Sequence, residues 1–229
     1  MDEKFYHQLL EELKPAKVQL LAVSKTRTPE EILELYRLGQ RDFGENYVQE
    51  LVDKQTRLPA DIRWHFIGHL QSNKVKYIAA FVHMIQGVDS LKLLLEIDKQ
   101  AKKSNRKIRC LLQVHIAKEE TKFGFSEPEL KDLVTTSLQS RSSGQGTNIE
   151  IAGLMGMASL TSDQDRIREE FRQLRFLFDQ LKAALPEDPV QTLSMGMSSD
   201  YQIAIEEGST MIRIGTALFG ERNYKKGQA

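Results

Sequence analysis

Lys25 ends a short apolar run, Leu20-Leu21-Ala22-Val23-Ser24-Lys25, and Thr26-Arg27-Thr28-Pro29 follows at once. A lysine at the end of a buried strand loses hydration, so its neutral amine is easier to reach and can attack a carbonyl. Far along the chain the sequence reads Met211-Ile212-Arg213-Ile214-Gly215-Thr216, where Gly215 and Thr216 can offer backbone N–H groups and one hydroxyl. Between them lies Ser194-Met195-Gly196-Met197-Ser198-Ser199-Asp200, with two hydroxyls just before a helix expected over residues 200–207. The hydroxyls and the free N–H groups of that helix start suit a phosphate dianion. An amine at one end of the chain and anion-binding turns at the other fit an aldehyde cofactor with a phosphate tail. The plainer alternatives are a surface Lys25 paired with an acid such as Glu45, and an Arg213 held in a structural ion pair.

Other polar residues admit two readings. Asn46, in Gly44-Glu45-Asn46-Tyr47, could hydrogen-bond a ring substituent or cap the next helix. His65 and His69 stand four apart, but Gly68 and the end of a strand separate them, so a helical metal pair is not expected. Met155, Met157, Met195 and Met197 flank two strand ends and read as core filling that could also wall a cofactor. Arg213 opposite a pyridine nitrogen would oppose ring protonation and weaken the ring as an electron sink. Cys110 is the one cysteine, inside the apolar run Ile108-Arg109-Cys110-Leu111-Leu112, and reads as a buried structural thiol. The chain has no Gly-x-x-x-x-Gly-Lys-Ser/Thr loop, no Gly-x-Gly-x-x-Gly turn and no Gly-x-Ser-x-Gly elbow, which removes the main support for kinase, classical dehydrogenase and esterase readings.

The elements that must position these residues alternate. Strands are expected over 18–23, 41–44, 63–67, 83–87, 108–116, 149–154, 190–194 and 211–214, each followed by apolar residues at helical spacing. Residues 163–185 carry the longest stripe: Ile167, Phe171, Leu174, Phe178 and Leu181. Thr28-Pro29-Glu30-Glu31 and Ser126-Glu127-Pro128-Glu129 each set a cap before a first-turn proline and acids. Eight such units predict a single-domain (β/α)8 TIM barrel over residues 1–229, with an extra N-terminal helix over 1–13. A doubly wound open sheet is the competing topology, and no glycine-rich turn follows the first strand to support it. The polar stretch 139–148 reads as a floppy loop at the N-terminal face. In a barrel, strand ends share one pocket, and phosphate sits near the loops after strands seven and eight.

The chain's 32 basic and 32 acidic residues cancel, which gives no case for nucleic-acid binding. Its basic cluster, Lys102-Lys103-Ser104-Asn105-Arg106-Lys107, reads as a helix end. No apolar stretch approaches membrane-spanning length and the charged N-terminus is neither a signal nor a transit peptide, so a cytoplasmic protein is expected.

Six segments occur in an order that resembles the pyridoxal phosphate homeostasis proteins, relatives of the alanine racemase barrel domain. They are Ala22-Val23-Ser24-Lys25, Phe43-Gly44-Glu45-Asn46-Tyr47, His65-Phe66-Ile67-Gly68-His69-Leu70-Gln71-Ser72-Asn73-Lys74, Gly153-Leu154-Met155, Leu193-Ser194-Met195-Gly196-Met197-Ser198 and Arg213-Ile214-Gly215-Thr216. The likeness runs from about residue 5 to Glu221. One departure is His115, where the family usually carries asparagine. The resemblance implies a PLP-binding barrel in which Lys25 forms the internal aldimine and Asn46 lines the cofactor. It implies that Ser198, Gly215 and Thr216 hold phosphate and that Arg213 meets the pyridine nitrogen. It also implies a role in vitamin B6 homeostasis without an established reaction, with free amino acids or apo PLP enzymes as further partners and a monomer or weak homodimer as the assembly. Only Ala217 to Ala229 follow the last strand, so the β-rich domain that supplies an acid–base tyrosine in racemases is not expected. The alternatives are an amino-acid racemase or lyase using the same lysine, and a sugar-phosphate aldolase or isomerase.

Overall fold

Short runs rich in branched aliphatic or aromatic residues become strands because such side chains pack well on a pleated surface that is covered on both faces. They are β1 (Gln19–Val23), β2 (Asp42–Glu45), β3 (Arg63–Phe66), β4 (Met84–Val88), β5 (Ile108–Val114), β6 (Ile149–Gly156), β7 (Thr192–Ser194) and β8 (Met211–Ile214). In this computed structural model, which describes residues 1–117, 123–142 and 147–220, the eight strands form a closed barrel in sequence order. Every neighbouring pair is parallel, and Leu20↔Ile212 with Ala22↔Ile214 closes β1 onto β8. This is the predicted (β/α)8 architecture, and the closed order excludes the open sheet.

The helices are α1 (Glu3–Ala16), α2 (Pro29–Arg37), α3 (Val48–Arg57), α4 (Leu91–Lys103), α5 (Glu127–Ser142), α6 (Gln164–Ala184), α7 (Tyr201–Glu206) and α8 (Thr216–Phe219). The extra N-terminal helix starts at an Asp2 cap, buries Tyr6, Leu9 and Leu13 and ties to α8 through Asp2 N–H to Leu218 O. Thr28 and Glu31 form the expected reciprocal cap on α2, and Ser126 with Glu129 repeats it on α5. The α6 stripe is buried as expected. Only a 3₁₀ turn, Ser72–Tyr77, follows β3, where a helical segment was expected. That segment opens with Gln71-Ser72-Asn73-Lys74, which has no apolar stripe to bury.

The basic cluster closes α4 as expected, and Arg106 donates to the carbonyls of Ala79 and Val82. Cys110 is buried and its thiol is pushed well above its usual range by burial. The polar stretch 139–148 runs from the end of α5 to the foot of β6, and its residues 143–146 lie outside the described ones. Among the described residues no helix is long and apolar enough to cross a membrane.

The barrel interior is not uniformly apolar. Met84, Leu111, Ala152 and Met155 form one internal cluster, but Asp42, His65, Gln86, Ser194 and Arg213 are also buried. Their partners bear on function.

Candidate functional site

The six residues singled out from the sequence lie at or just past the C-terminal ends of β1, β2, β7 and β8, which are consecutive around the closed barrel. Lys25 lies in the turn two residues beyond Val23 and is half-buried. A Cβ added to Gly215 would lie 3.3 Å from the Val23 carbonyl oxygen, so the turn after β8 is packed against the end of β1. The Arg213 N–H donates to Gly196 O at 2.9 Å, which ties the Ser198 turn to β8. The Ser24 N–H donates to Gly44 O at 2.9 Å, which sets the Lys25 turn beside the strand leading to Asn46.

The Lys25 turn is held in an uncommon backbone shape. Thr26 has φ 66°, in the left-handed region that a β-branched residue avoids. Its N–H donates to Glu50 Oε1 at 2.6 Å. Lys54, on α3, donates to Glu50 Oε1 at 2.6 Å, to Glu45 Oε1 at 2.8 Å and to the Ser24 carbonyl oxygen at 2.7 Å. Ser24 Oγ donates to the same Glu45 oxygen. Lys54 is 3% exposed and Glu45 is fully buried, so one buried cation serves a buried carboxylate and a partly exposed one. Burial pushes the Glu45 carboxyl up to about 7, Glu50 adds to the rise, and Lys54 and Ser24 oppose it.

Glu45, the acid considered as a partner for Lys25, thus gives Oε1 to Lys54 and Ser24. The sequence reading missed the Lys54 clamp, because Glu50 and Lys54 look like an exposed i, i+4 pair. The available signal was that Lys54 shares a helix face with the buried Leu51.

Asn46 is not a helix cap. Tyr47 holds that position with no side-chain bond, and Asn46 Oδ1 is buried without a hydrogen-bond partner. An unsatisfied buried amide oxygen costs about 1–3 kcal/mol unless a ligand donates to it. The backbone of Asn46 packs against Gly68, where a Cβ would fall 2.4 Å from Asn46 O, so only glycine fits there.

Arg213 lies inside the barrel at 4% exposure. Nη1 donates to Ser194 O and Oγ, both at 2.8 Å, and Nη2 to Gly156 O at 3.0 Å. Among the described residues no carboxylate lies within ion-pairing distance of it, so the structural ion pair weighed from the sequence is not seen there. Burial lowers its pKa to about 10 and Asp200 opposes the shift, so the guanidinium is still a cation at neutral pH.

Ser198 and Thr216 are exposed, and Gly215 is half-buried. The backbone N–H groups of Ser198, Ser199, Gly215 and Thr216 donate to no backbone carbonyl among the described residues. Those donors, the Ser198 and Thr216 hydroxyls and the nearby turn of Lys25 form a set suited to a dianion attached to a carbonyl compound. His115 lies just past β5, where its N–H donates to Phe125 O. His65 and His69 have separate partners: His69 Nδ1 lies 2.8 Å from Asp89, while His65 points into the barrel core. Met155 and Met195 are buried; Met157 and Met197 are half-buried.

The family described as alanine racemase, N-terminal domain, matches residues 6–223. A pyridoxal phosphate homeostasis protein of Pasteurella multocida is 42% identical over 214 residues, covering 91% of this chain and 88% of its own. The human protein of that name is 39% identical over 220 residues, covering 91% and 78%. Among solved structures, PipY of Synechococcus elongatus with PLP bound superposes with a TM-score of 0.82 at 38% identity, covering 94% of this chain and 98% of its own. Alanine racemase from Bartonella henselae, at 17% identity and a TM-score of 0.68, shares the fold; 98% of this chain covers 59% of that one.

Proposed function

Since the chain belongs to the pyridoxal phosphate homeostasis protein family, built on the alanine racemase N-terminal domain, we propose that it binds PLP at the β7–β8–β1–β2 quadrant and serves intracellular vitamin B6 homeostasis. The observation that carries this reading is the packing of Gly215 against Val23, the last residue of β1 and two before Lys25. It supports a site shared by the Lys25 amine and the Gly215 and Thr216 N–H groups, which donate to no backbone carbonyl among the described residues. When bound, PLP supplies an aldehyde that amines can capture and a ring that draws electrons from the captured group.

The residues of this chain divide the work. Lys25 would hold the cofactor through its aldehyde, the carbonyl chemistry that an amine at this place can use. Ser198, Gly215 and Thr216 bind the phosphate, and Asn46 meets a ring substituent with its otherwise unpartnered oxygen. Arg213 faces the ring nitrogen as a cation without a carboxylate partner among the described residues. A cation there keeps a proton off the nitrogen, which favours holding the cofactor over stabilising a substrate carbanion.

Relatives carry the name of homeostasis proteins and not of enzymes. In keeping with that name, the cytoplasmic protein holds PLP and exchanges it with free amino acids or apo PLP enzymes, as a single-domain monomer or weak homodimer. The test is the visible spectrum of the freshly purified protein beside Lys25→Ala, with amino-acid turnover assayed in parallel. A visible absorption band that vanishes in the variant is expected, with stoichiometric exchange only. A colourless wild type that takes up no PLP refutes the binding, and sustained Lys25-dependent turnover refutes the carrier role.

A further inference from the structure

Side chains inside a TIM barrel are ordinarily branched and apolar. Here a continuous polar chain crosses the interior. His65 Nε2 lies 3.0 Å from Asp42 Oδ1, and His65 Nδ1 lies 3.0 Å from Gln86 Nε2. Gln86 Oε1 lies 2.8 Å from Ser194 Oγ, which lies 2.8 Å from Arg213 Nη1. Asp42 is anchored at the far end by a bidentate bond from Arg63. All members from Asp42 to Arg213 are buried.

The chemistry of the two ends fixes every proton. Arg213 can only donate, so Ser194 accepts from it and turns its own hydroxyl hydrogen to Gln86 Oε1. A carboxylate can only accept, so His65 carries its hydrogen on Nε2 and leaves Nδ1 as an acceptor for the Gln86 amide N–H. Both ends independently require the same orientation of the Gln86 amide. Burial holds the His65 pKa below its ordinary value, consistent with the neutral ring this arrangement needs. Such a network costs more to bury than hydrocarbon of equal volume, so it has to be read for what it positions. Its open end terminates on the Arg213 guanidinium, which also donates to Ser194 O from Nη1 and to Gly156 O from Nη2, so the Ser194 hydroxyl adds a side-chain contact to two backbone ones.

Building on the PLP-binding reading above, we propose that Ser194, Gln86 and His65 are positioning residues that orient the Arg213 guanidinium toward the cofactor's ring nitrogen. They touch no ligand themselves and act only through Arg213.

The test compares PLP with its 1-deaza analogue, in which carbon replaces the ring nitrogen, in titrations of wild type, Ser194→Ala and Gln86→Met. In both variants PLP is expected to bind about tenfold more weakly, the loss of one hydrogen bond to a charged group. The analogue, which has no nitrogen to meet Arg213, should change less than about twofold by the same reasoning. Equal weakening of both ligands would mean a merely structural role and overturn the proposal, as would unchanged PLP binding. If Gln86→Met fails to fold, Ser194→Ala, which removes a single hydroxyl, still decides the matter. Failure of wild type to bind PLP at all would count against the functional reading itself, a result separate from these.

Discussion

The Lys54 ammonium lies 2.7 Å from the carbonyl oxygen of Ser24, the residue before Lys25. Through this bond and the Glu50 bridge to Thr26, α3 dictates the shape of the turn that presents the reactive amine. On the proposed reading, the reactivity of Lys25 would therefore depend on a second lysine outside the proposed cofactor set.

Lys54→Met should cost stability, because removing one partner of a buried pair leaves charge uncompensated. We expect a loss of about 3 kcal/mol in urea unfolding at pH 7. PLP capture should slow as the left-handed Thr26 relaxes. Part of the loss should return in Lys54→Met/Glu45→Gln, where residue 45 no longer has to take up a proton to stay buried without its cation. A loss below about 0.5 kcal/mol, the range of an exposed pair, would show the clamp to be idle.

Glu45 also sets a pH dependence. Its folded pKa is raised to about 7 from an ordinary 4.5, so between those values the folded state holds more of its proton than the unfolded chain does. Stability from this group therefore falls as pH rises from about 4.5 to about 7 and is level outside that window. Asp42, held far below its usual range by His65 and Arg63 against the opposing effect of burial, acts in the other direction: its contribution is present above 3.8 and lost as pH falls below that value. The two are separated by difference. The stability of Glu45→Gln minus that of wild type should grow across pH 4.5 to 7, and a flat difference would contradict the raised pKa.

Asn46→Ala should separate stability from affinity. The free protein loses an unsatisfied buried oxygen and should be no less stable, with a gain of up to about 1–3 kcal/mol, while PLP binding weakens by about tenfold. Calorimetric melting and cofactor titration together check this. A variant that unfolds readily would mean that Asn46 serves the fold.

Ser198→Ala and Thr216→Val touch exposed hydroxyls and should leave the melting temperature unchanged. Each should weaken PLP by about tenfold and leave pyridoxal, which lacks the phosphate, unaffected. Equal effects on both ligands would remove these residues from the phosphate site.

The fold was legible because each strand is a short β-rich run between turn signals, and because Thr28 and Ser126 announce their helices. The expected β8, residues 211–214, matches the structure at both ends, while β7 begins at Thr192 and not at 190: the Val190 N–H turns to Asp188 O, and Gln191 reaches β6 through one bond to Ala152 O just ahead of the paired residues. The candidate site was legible where residues sit at strand ends, as Lys25, Asn46 and Arg213 do. What supports them was not. Gln86 stands in Met84-Ile85-Gln86-Gly87-Val88 as one polar residue in an apolar run, and nothing local says that it faces Ser194, 108 positions away. Lys54 reads as a solvated helix lysine until Ser24 and Glu45 are brought against it by the closing of β1 and β2.

Borohydride reduction of the PLP-loaded protein, followed by peptide mapping, addresses the covalent role of Lys25 most directly. A single phosphopyridoxyl group on the peptide containing Lys25, absent from Lys25→Ala, is the predicted result. A label on another lysine of the wild type, or none at all, would contradict it.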